Sequence, residues 1–570
     1  MVRRLNWRFL VLIAVLAFAT GGIVVRLVQV QIVDHAYYTA EAEDEHLHRT
    51  VVRAPRGAIL DRNGYPLATS VAAFDVYVDP RSWANDSTAL AGASTLAPLL
   101  QRDPAELIEA ARAHDEGDYL AAYAVDADVG LTLLADPPPG VKLVETSARS
   151  YPEGDLASAL LGFIGRDQVG LAGVEAGFDL LLGGVPGDVY FERDALGNPI
   201  PFGDRIGDEP TAGGDVRLTI DRVLQRLVEQ KLRLEVERHQ AAGGTIIVMD
   251  PMTGEILAMA SEPTYQLSKL DTSDPKQAEL YRLSALSDVY APGSVMKTIT
   301  MAAAIDLGLV APGTTYVDDG FAEVDGGIGI ANWDLSVHGE TTMTELLQFS
   351  LNTGAVWLSG VLGPDNFYTY VQRFGFEDPT SVGLGIDPAG LVRTHDDDDW
   401  YPIDLATNSF GQGISVTPLH MITAVSALVN GGLLMRPYIV KEVTGPDDYR
   451  RFEPVVVRRA VSEETSRTLV GMMNAVVDGS PGHLAQVAGV SVGGKTGTTT
   501  FHDRTETIAS FVGFAPAENP RFIMLVKIDE PKDSPLGGVV AAPIFSDLTP
   551  QVLTYLGARQ DAPAHVESNP

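Results

Sequence analysis

An α+β fold spread over more than one unit is what this chain of 570 residues predicts, and three observations predict it. A charge-free apolar run opens the chain. Residues 33–215 then break into short extended segments among glycines and prolines, and beyond residue 216 strand patterns flank a helix-rich middle. Strands at both ends of one region build a single sheet from distant segments, with helices packed around it. A hydrophobic content of 45% supplies core for units of about 100–200 residues each.

The apolar run extends from Phe9 to Val25 without a charge, behind Arg3, Arg4 and Arg8 and with Trp7 at its entry. As a helix it is about 26 Å long, close to the thickness of a hydrocarbon core. Residues 9–28 are therefore expected to be a transmembrane anchor. The basic flank puts residues 1–8 in the cytoplasm and everything later outside the membrane. The rival is a cleaved signal peptide with Ala17-Phe18-Ala19 as its small-x-small site. Against it, the apolar pattern continues through Gly21, Gly22, Ile23, Val24 and Val25 instead of turning polar.

Residues 29–215 read as a β-rich unit. Arg56-Gly57-Ala58-Ile59-Leu60-Asp61-Arg62-Asn63-Gly64 carries an Asn-Gly pair suited to a tight turn, with Ala58–Leu60 and Tyr65–Ala68 as the paired strands. A helix is expected from Pro104 to Arg112, and closely spaced glycines mark 170–187. Near 216 the texture changes. Asp215–Ile220 reads as a strand, and Asp221 can cap a helix reaching about Arg238, with Val223, Leu224, Leu227 and Val228 at helical spacing. Thr245–Asp250 and Glu255–Ser261 form a hairpin. Residues 296–307 are apolar nearly all round and predict a buried helix. Strands follow at 490–500, 508–514 and 521–528, then a helix around 545–556. The catalytic-sized unit is expected to span 216–557, with 558–570 as a disordered tail.

Composition removes several function classes. Cysteine is absent, so no disulfide, thiolate metal site or thiol nucleophile exists. The net charge is −34. Because residues 1–26 carry four arginines and no acid, the rest of the chain is more negative still, which argues against nucleic acid as a partner. Asp396–Asp399 lacks the spacing and turn glycine of a calcium loop and reads as a solvated segment. No metal and no cofactor is expected.

The chemistry lies in three short motifs. Ser294-Val-Met-Lys297 follows Pro292-Gly293 and opens the buried helix. There the free N–H groups and the positive dipole end favour developing negative charge, and the i, i+3 spacing brings Lys297 to the Ser294 hydroxyl. Burial and a second cation would lower the lysine pKa, letting it take the serine proton. Ser-x-x-Lys alone is weak in a chain with 28 serines and nine lysines, and a decoy stands at Ser273-Asp-Pro-Lys276. Ser350-Leu351-Asn352 is the one Ser-x-Asn in the sequence and offers a hydroxyl and an amide; alone it reads as a cap or turn. Lys495-Thr496-Gly497-Thr498 occurs once, behind Gly493-Gly494. As a strand it offers a cation for a carboxylate, two hydroxyls, and an edge on which a peptide can lie, with Gly497 permitting close approach.

The three motifs in this order are the signature of the penicillin-recognising serine enzymes. Arg56–Gly64 resembles the amino-terminal motif of class B penicillin-binding proteins, and Tyr290–Lys297 resembles their nucleophile segment. Ser409–Pro418, Asn430-Gly-Gly432 and Gly537–Phe545 are similar to stretches behind and closing the site, the last more like the division-associated and sporulation-type branch. The resemblance covers nearly the whole chain after the apolar run. It implies a penicillin-binding transpeptidase fold: a mixed α/β sheet flanked by helices plus an all-helical subdomain, preceded by an elongated β-rich pedestal and one transmembrane helix. It implies a membrane-anchored peptidoglycan D,D-transpeptidase acting on stem peptides ending in D-Ala-D-Ala and binding β-lactams covalently, in septal wall synthesis. A membrane-embedded glycosyltransferase and divisome proteins are its implied partners.

By that resemblance Ser294 is the nucleophile and Lys297 the base, Ser350 and Asn352 relay protons and position the acyl chain, and Lys495 and Thr496 hold the carboxylate. The backbone N–H groups of Ser294 and Thr498 form the oxyanion hole, and Gly497 lets the substrate close. Three departures stand out: Gln266-Leu267-Ser268 where the family often has Asp-Pro-Asn, Ser284 in place of an Asn-Arg pair, and His420 for a glutamine. The rival readings are a D,D-carboxypeptidase or β-lactamase, which the pedestal motif argues against, and a penicillin-binding sensor or structural divisome member without turnover.

Overall fold

The amino-terminal apolar run forms helix α1 (Trp7–Val28), prolonged by one wider turn to Val33. Within these 27 residues the mean hydropathy of an 18-residue window reaches 2.4, and no side chain of the helix is buried by protein. In this computed structural model the described residues are 7–35, 37–38, 47–114, 117–192, 205–270, 280–324, 327–446, 448–479, 482–500 and 507–560. They divide into two units. The first holds α1 and a three-stranded antiparallel sheet in which Gly187–Glu192 lies between Leu47–Val52 and Arg205–Gly207.

The second unit comprises residues 56–183 and 214–570. Its first sheet is built on β1 (Ile59–Leu60) and the 13-residue β2 (Pro66–Val78), joined through the expected turn at Asn63-Gly64. Asp61 stabilises that turn by accepting from the Asn63 and Tyr65 amides. Strands β3 (Tyr119–Asp126) and β4 (Val141–Ser150) pair with β2. Helices α2 (Asp86–Leu100), α3 (Pro104–Arg112) and α4 (Ala127–Ala135) accompany them, and Trp83, Leu96, Leu107 and Leu133 form a separate small core with β2. Asn85 and Asp103 cap α2 and α3 through side-chain oxygens, and Pro104 occupies the first turn, where its missing N–H costs nothing.

Strand β5 (Asp215–Leu218) pairs parallel to β1 on one side and antiparallel to Val440–Thr444 on the other. The expected domain boundary at 215/216 therefore falls inside a continuous sheet.

Asp221 caps α5 (Arg222–Arg238) by accepting from Val223 and Leu224 N–H, as the sequence pattern predicts. The hairpin β6 (Gly243–Met249) and β7 (Ile256–Glu262) follows. Then come α6 (Lys297–Asp306), β8 (Thr315–Asp318), β9 (Phe321–Val324), β10 (Ile328–Ala331), β11 (Gly339–Thr342), α7 (Met343–Phe349), α8 (Asn352–Arg373), α9 (Pro418–Val429) and α10 (Glu463–Asp478). The chain closes with β12 (Gly493–Thr500), β13 (Thr507–Ala515), β14 (Phe522–Asp529) and α11 (Gly537–Gln560). Helix α11 begins eight residues before the expected start and carries Pro543 and Pro550 within it. It also runs past the expected tail start at 558, and 561–570 lie outside the described residues.

The second sheet runs in the order β7-β6-β14-β13-β12, antiparallel throughout. Its two faces feed different cores. Ile246, Val248, Phe511, Met524 and Val526 pack with α5 and α11, while Ile247, Met249, Val512, Ile523 and Leu525 pack with the helical lobe. A sheet covered on both sides needs apolar residues at every position, which is why these strands read as unbroken hydrophobic runs rather than alternation.

Candidate active site

Ser294 lies on the 3-10 turn Gly293–Met296 that leads into α6, one turn before Lys297. The turn stays in place because Gly293 N–H donates to the Gly411 carbonyl at 3.0 Å. Gly411 has φ +79°, and a Cβ there would overlap the Gly293 carbonyl oxygen, so only glycine fits. Helix α6 is buried over its first eight residues, and Lys297 with it.

The second motif stands at a helix break. Thr342 and Glu345 form a reciprocal capping box that starts α7, and Ser350 ends it in the left-handed region at φ +60°. That conformation turns both the Ser350 carbonyl and its hydroxyl toward Lys297, while Asn352 opens α8. Lys297 Nζ lies 2.7 Å from Ser350 O, 2.8 Å from Asn352 Oδ1, 3.1 Å from Ser294 Oγ and 3.5 Å from Ser350 Oγ. The Asn352 amide is oriented by donation from Nδ2 to the Ala331 carbonyl at 3.0 Å.

The third motif occupies β12, the edge of the sheet. Lys495 Nζ reaches Ser350 Oγ at 2.9 Å and the Thr496 carbonyl and hydroxyl at 3.1 and 3.3 Å. Thr498 Oγ1 accepts from the Gly537 amide at 3.1 Å, tying the strand to the start of α11. Gly497 faces Ser510, Pro292 and Val295, and a side chain there would press on β13 and on the turn that carries Ser294.

Both lysines are fully buried, and no carboxylate bonds either of them among the described residues. Burial, reinforced by the charge of Lys495, pushes Lys297 well below the ordinary lysine range. Burial alone brings Lys495 down to about 7. A neutral Lys297 has two N–H groups and one lone pair. The Ser350 carbonyl and Asn352 Oδ1 can only accept, so they take the two N–H groups. The lone pair is left facing Ser294 Oγ. Such an arrangement can deprotonate a serine, and Ser350 Oγ between the two lysines can pass a proton onward.

A cleft of about 400 Å³ opens over these groups, lined by Ser294, Ser350, Asn352, Thr496 and Thr498. Of the residues the sequence singled out, only Lys297, Lys495 and Gly497 do not line it, and they stand directly behind. The walls are Trp333, Phe410, Leu484, Leu536 and Val539, with Gln412 and His483. Phe410, Gln412 and Val539 fall in the stretches read as backing and closing the site. Trp333, Leu484 and His483 carry no sequence signal. The decoy Ser273–Lys276 lies outside the described residues. Of the departures, His420 is a buried cap on α9, bonding Thr417 Oγ1 and the Asp378 carbonyl, and Ser284 donates to Ser261. Asp397 and Asp399 of the acidic run bond Thr394 and Arg393.

Comparison with known proteins follows the same lines. The family model for the penicillin-binding protein transpeptidase domain matches residues 244–549, and that for the penicillin-binding protein dimerisation domain matches 51–218. Stage V sporulation protein D of Bacillus subtilis is 34% identical over 565 residues, spanning 97% of this chain and 86% of its own. Peptidoglycan D,D-transpeptidase FtsI of Escherichia coli K12 is 30% identical over 574 residues, spanning 98% and 93%. Penicillin-binding protein 2X of Streptococcus thermophilus superposes with a TM-score of 0.74 at 25% identity, covering 90% of this chain and 81% of that one. Penicillin-binding protein 3 of Mycobacterium tuberculosis, complexed with aztreonam, gives 0.68 at 26% identity, covering 90% and 98%.

Proposed function

Because this chain belongs to the class B penicillin-binding proteins and is a serine-type peptidoglycan D,D-transpeptidase, we propose that Ser294 is its nucleophile and Lys297 its base. The observation that carries this reading is the Lys297 contact set: two fixed acceptors and one serine hydroxyl at 3.1 Å.

Ser294 Oγ gives its proton to Lys297 and attacks the carbonyl between the two terminal D-alanines. The oxyanion forms against the backbone N–H groups of Ser294 and Thr498, donors of the kind that are each worth roughly a hundredfold or more in rate. Collapse breaks the C–N bond, and the departing D-Ala amine takes a proton relayed from Lys297 through Ser350. Asn352 holds the acyl chain. Lys495 and Thr496 hold the terminal carboxylate, and Gly497 lets the peptide lie against β12. An amine of a second stem then attacks the acyl-enzyme, which restores the Ser294 hydroxyl and leaves the cross-link. A β-lactam enters the same first step and stays as the acyl-enzyme.

The stage V sporulation and FtsI relatives support a septal role, and a membrane glycosyltransferase and divisome proteins are the partners we propose for it. The apolar helix supports a single-pass anchor, and Arg3, Arg4 and Arg8 favour a cytoplasmic amino terminus with the cleft outside. Labelling with a fluorescent penicillin tests the site: wild type is labelled and Ser294→Ala is not, and a labelled Ser294→Ala protein removes the assignment. Muropeptide analysis must yield cross-linked dimers, since hydrolysis alone means a carboxypeptidase.

A further inference from the structure

Asp318 is a fully buried carboxylate at the end of β8 that does not line the cleft. It accepts from Asn332 Nδ2 at 3.1 and 2.9 Å, from Thr353 Oγ1 at 2.7 Å, and from the amides of Gly320 and His338 at 3.0 and 2.9 Å. Burial alone would raise its pKa, but these bonds outweigh it and hold the carboxyl below the ordinary range. No cation balances the charge among the described residues. A buried anion this well supplied with donors fixes the position of every donor it holds.

What it holds is informative. Gly320 and His338 are the two ends of the excursion that carries β9 and β10, so one carboxylate closes that excursion at its base. Asn332 sits at its inner edge, just after β10. Its side-chain oxygen accepts from Thr353 N–H at 3.2 Å, pinning it to the first turn of α8. The neighbours of Asn332 both face the site: the Ala331 carbonyl accepts from Asn352 Nδ2, and Trp333 lines the cleft while donating from Nε1 to the Phe349 carbonyl at 2.9 Å.

We propose that Asp318 is a positioning residue for acylation: by clamping Asn332 and Thr353, it fixes the Ala331 carbonyl that orients the Asn352 amide, and so keeps Oδ1 rather than Nδ2 toward Lys297. Were the amide to turn over, two N–H donors would face each other. Lys297 would then lose one of its two fixed acceptors, and its lone pair would no longer be directed at Ser294. The inference rests on the reading of Lys297 as base.

The test uses stopped-flow acylation by a fluorescent penicillin, which separates pre-acylation binding from the bond-forming rate. Asp318→Asn keeps the shape but cannot accept from all four donors. Its bond-forming rate is expected to fall roughly tenfold to a hundredfold, with binding unchanged. The deciding measurement is a double-mutant cycle. In an Asn352→Ala background, Asp318→Asn should slow the reaction by no more than about threefold further, because the group it orients is gone. Independent, multiplying effects overturn the proposal, as does a wild-type rate in Asp318→Asn. Should that variant fail to fold, Thr353→Val, which removes the shortest donor alone, is carried through the same cycle with a smaller expected loss and the same deciding outcome. Persistence of labelling in Ser294→Ala would instead discard the reading of the site, so the two failures are distinguishable.

Discussion

Lys297 and Lys495 sit on either side of the Ser350 hydroxyl, both buried and with no carboxylate bonding either among the described residues. Their charges compete, so they lose protons as a coupled pair, Lys297 first. In the proposed mechanism acylation needs Lys297 neutral and Lys495 charged, which makes the second-order rate constant for β-lactam acylation bell-shaped in pH. On the acid side it falls as Lys297 takes up a proton. On the alkaline side it falls above about 7, as Lys495 loses the charge that holds the carboxylate. Lys495→Arg keeps the cation and should flatten the alkaline limb at some cost in binding; an unchanged limb would mean that another group titrates there. At this scale the sequence was readable where chemistry is carried by rare residues in fixed spacing. Trp333 and Asp318 were not, since a lone tryptophan or aspartate in a loop has no pattern until its neighbours are known.

At the scale of elements, the site is the meeting of a tight turn, a helix break and a sheet edge, each held by something outside the motifs. The turn that carries Ser294 is held by Gly411, whose φ of +79° and contact with the Gly293 carbonyl leave no room for a Cβ. Gly411→Ala should therefore displace Ser294 and cut the acylation rate by at least tenfold, since misplacement of about 1 Å can cost a hundredfold. Retention of the wild-type rate would show that the turn is held by α6 alone. Most elements were legible in advance: the Asp221 cap, the β6–β7 hairpin, and β12 to β14 all follow from cap, turn and run patterns. The start of α11 was not. Gly537, Gly538 and the small residues after them give little helical signal, and the tethering of Gly537 to Thr498 is a tertiary bond.

At the scale of the molecule, the sheet joining β1 and β2 to β5 and Val440–Thr444 runs through one compact unit that holds residues 56–183 together with the motif-bearing region. Its internal brace is Glu175, fully buried, which takes Arg56 Nε at 2.6 Å and Arg149 Nε at 2.7 Å. Glu175→Gln leaves the buried Arg149 guanidinium facing a neutral amide while Arg56 keeps Asp179 at 2.7 Å, a loss of about 3 kcal/mol. Because the sheet is continuous, circular dichroism and loss of penicillin labelling should report the same lowered melting midpoint. Two separated transitions would show that residues 56–183 and the catalytic region unfold independently.

The sequence by itself determined the apolar amino-terminal helix and the order of strands and helices, and it singled out Ser294, Lys297, Ser350, Asn352 and Lys495 as candidates, because periodicity, caps and rare motifs are local properties. Only the tertiary structure decided which acceptors surround Lys297, and it is those acceptors that leave its lone pair facing Ser294. It also decided that Asp318 stands behind Asn352. These depend on groups 14 to 55 residues apart in the chain being brought to about 3 Å. No local pattern encodes such a distance; packing of the two cores on either side of the sheet does.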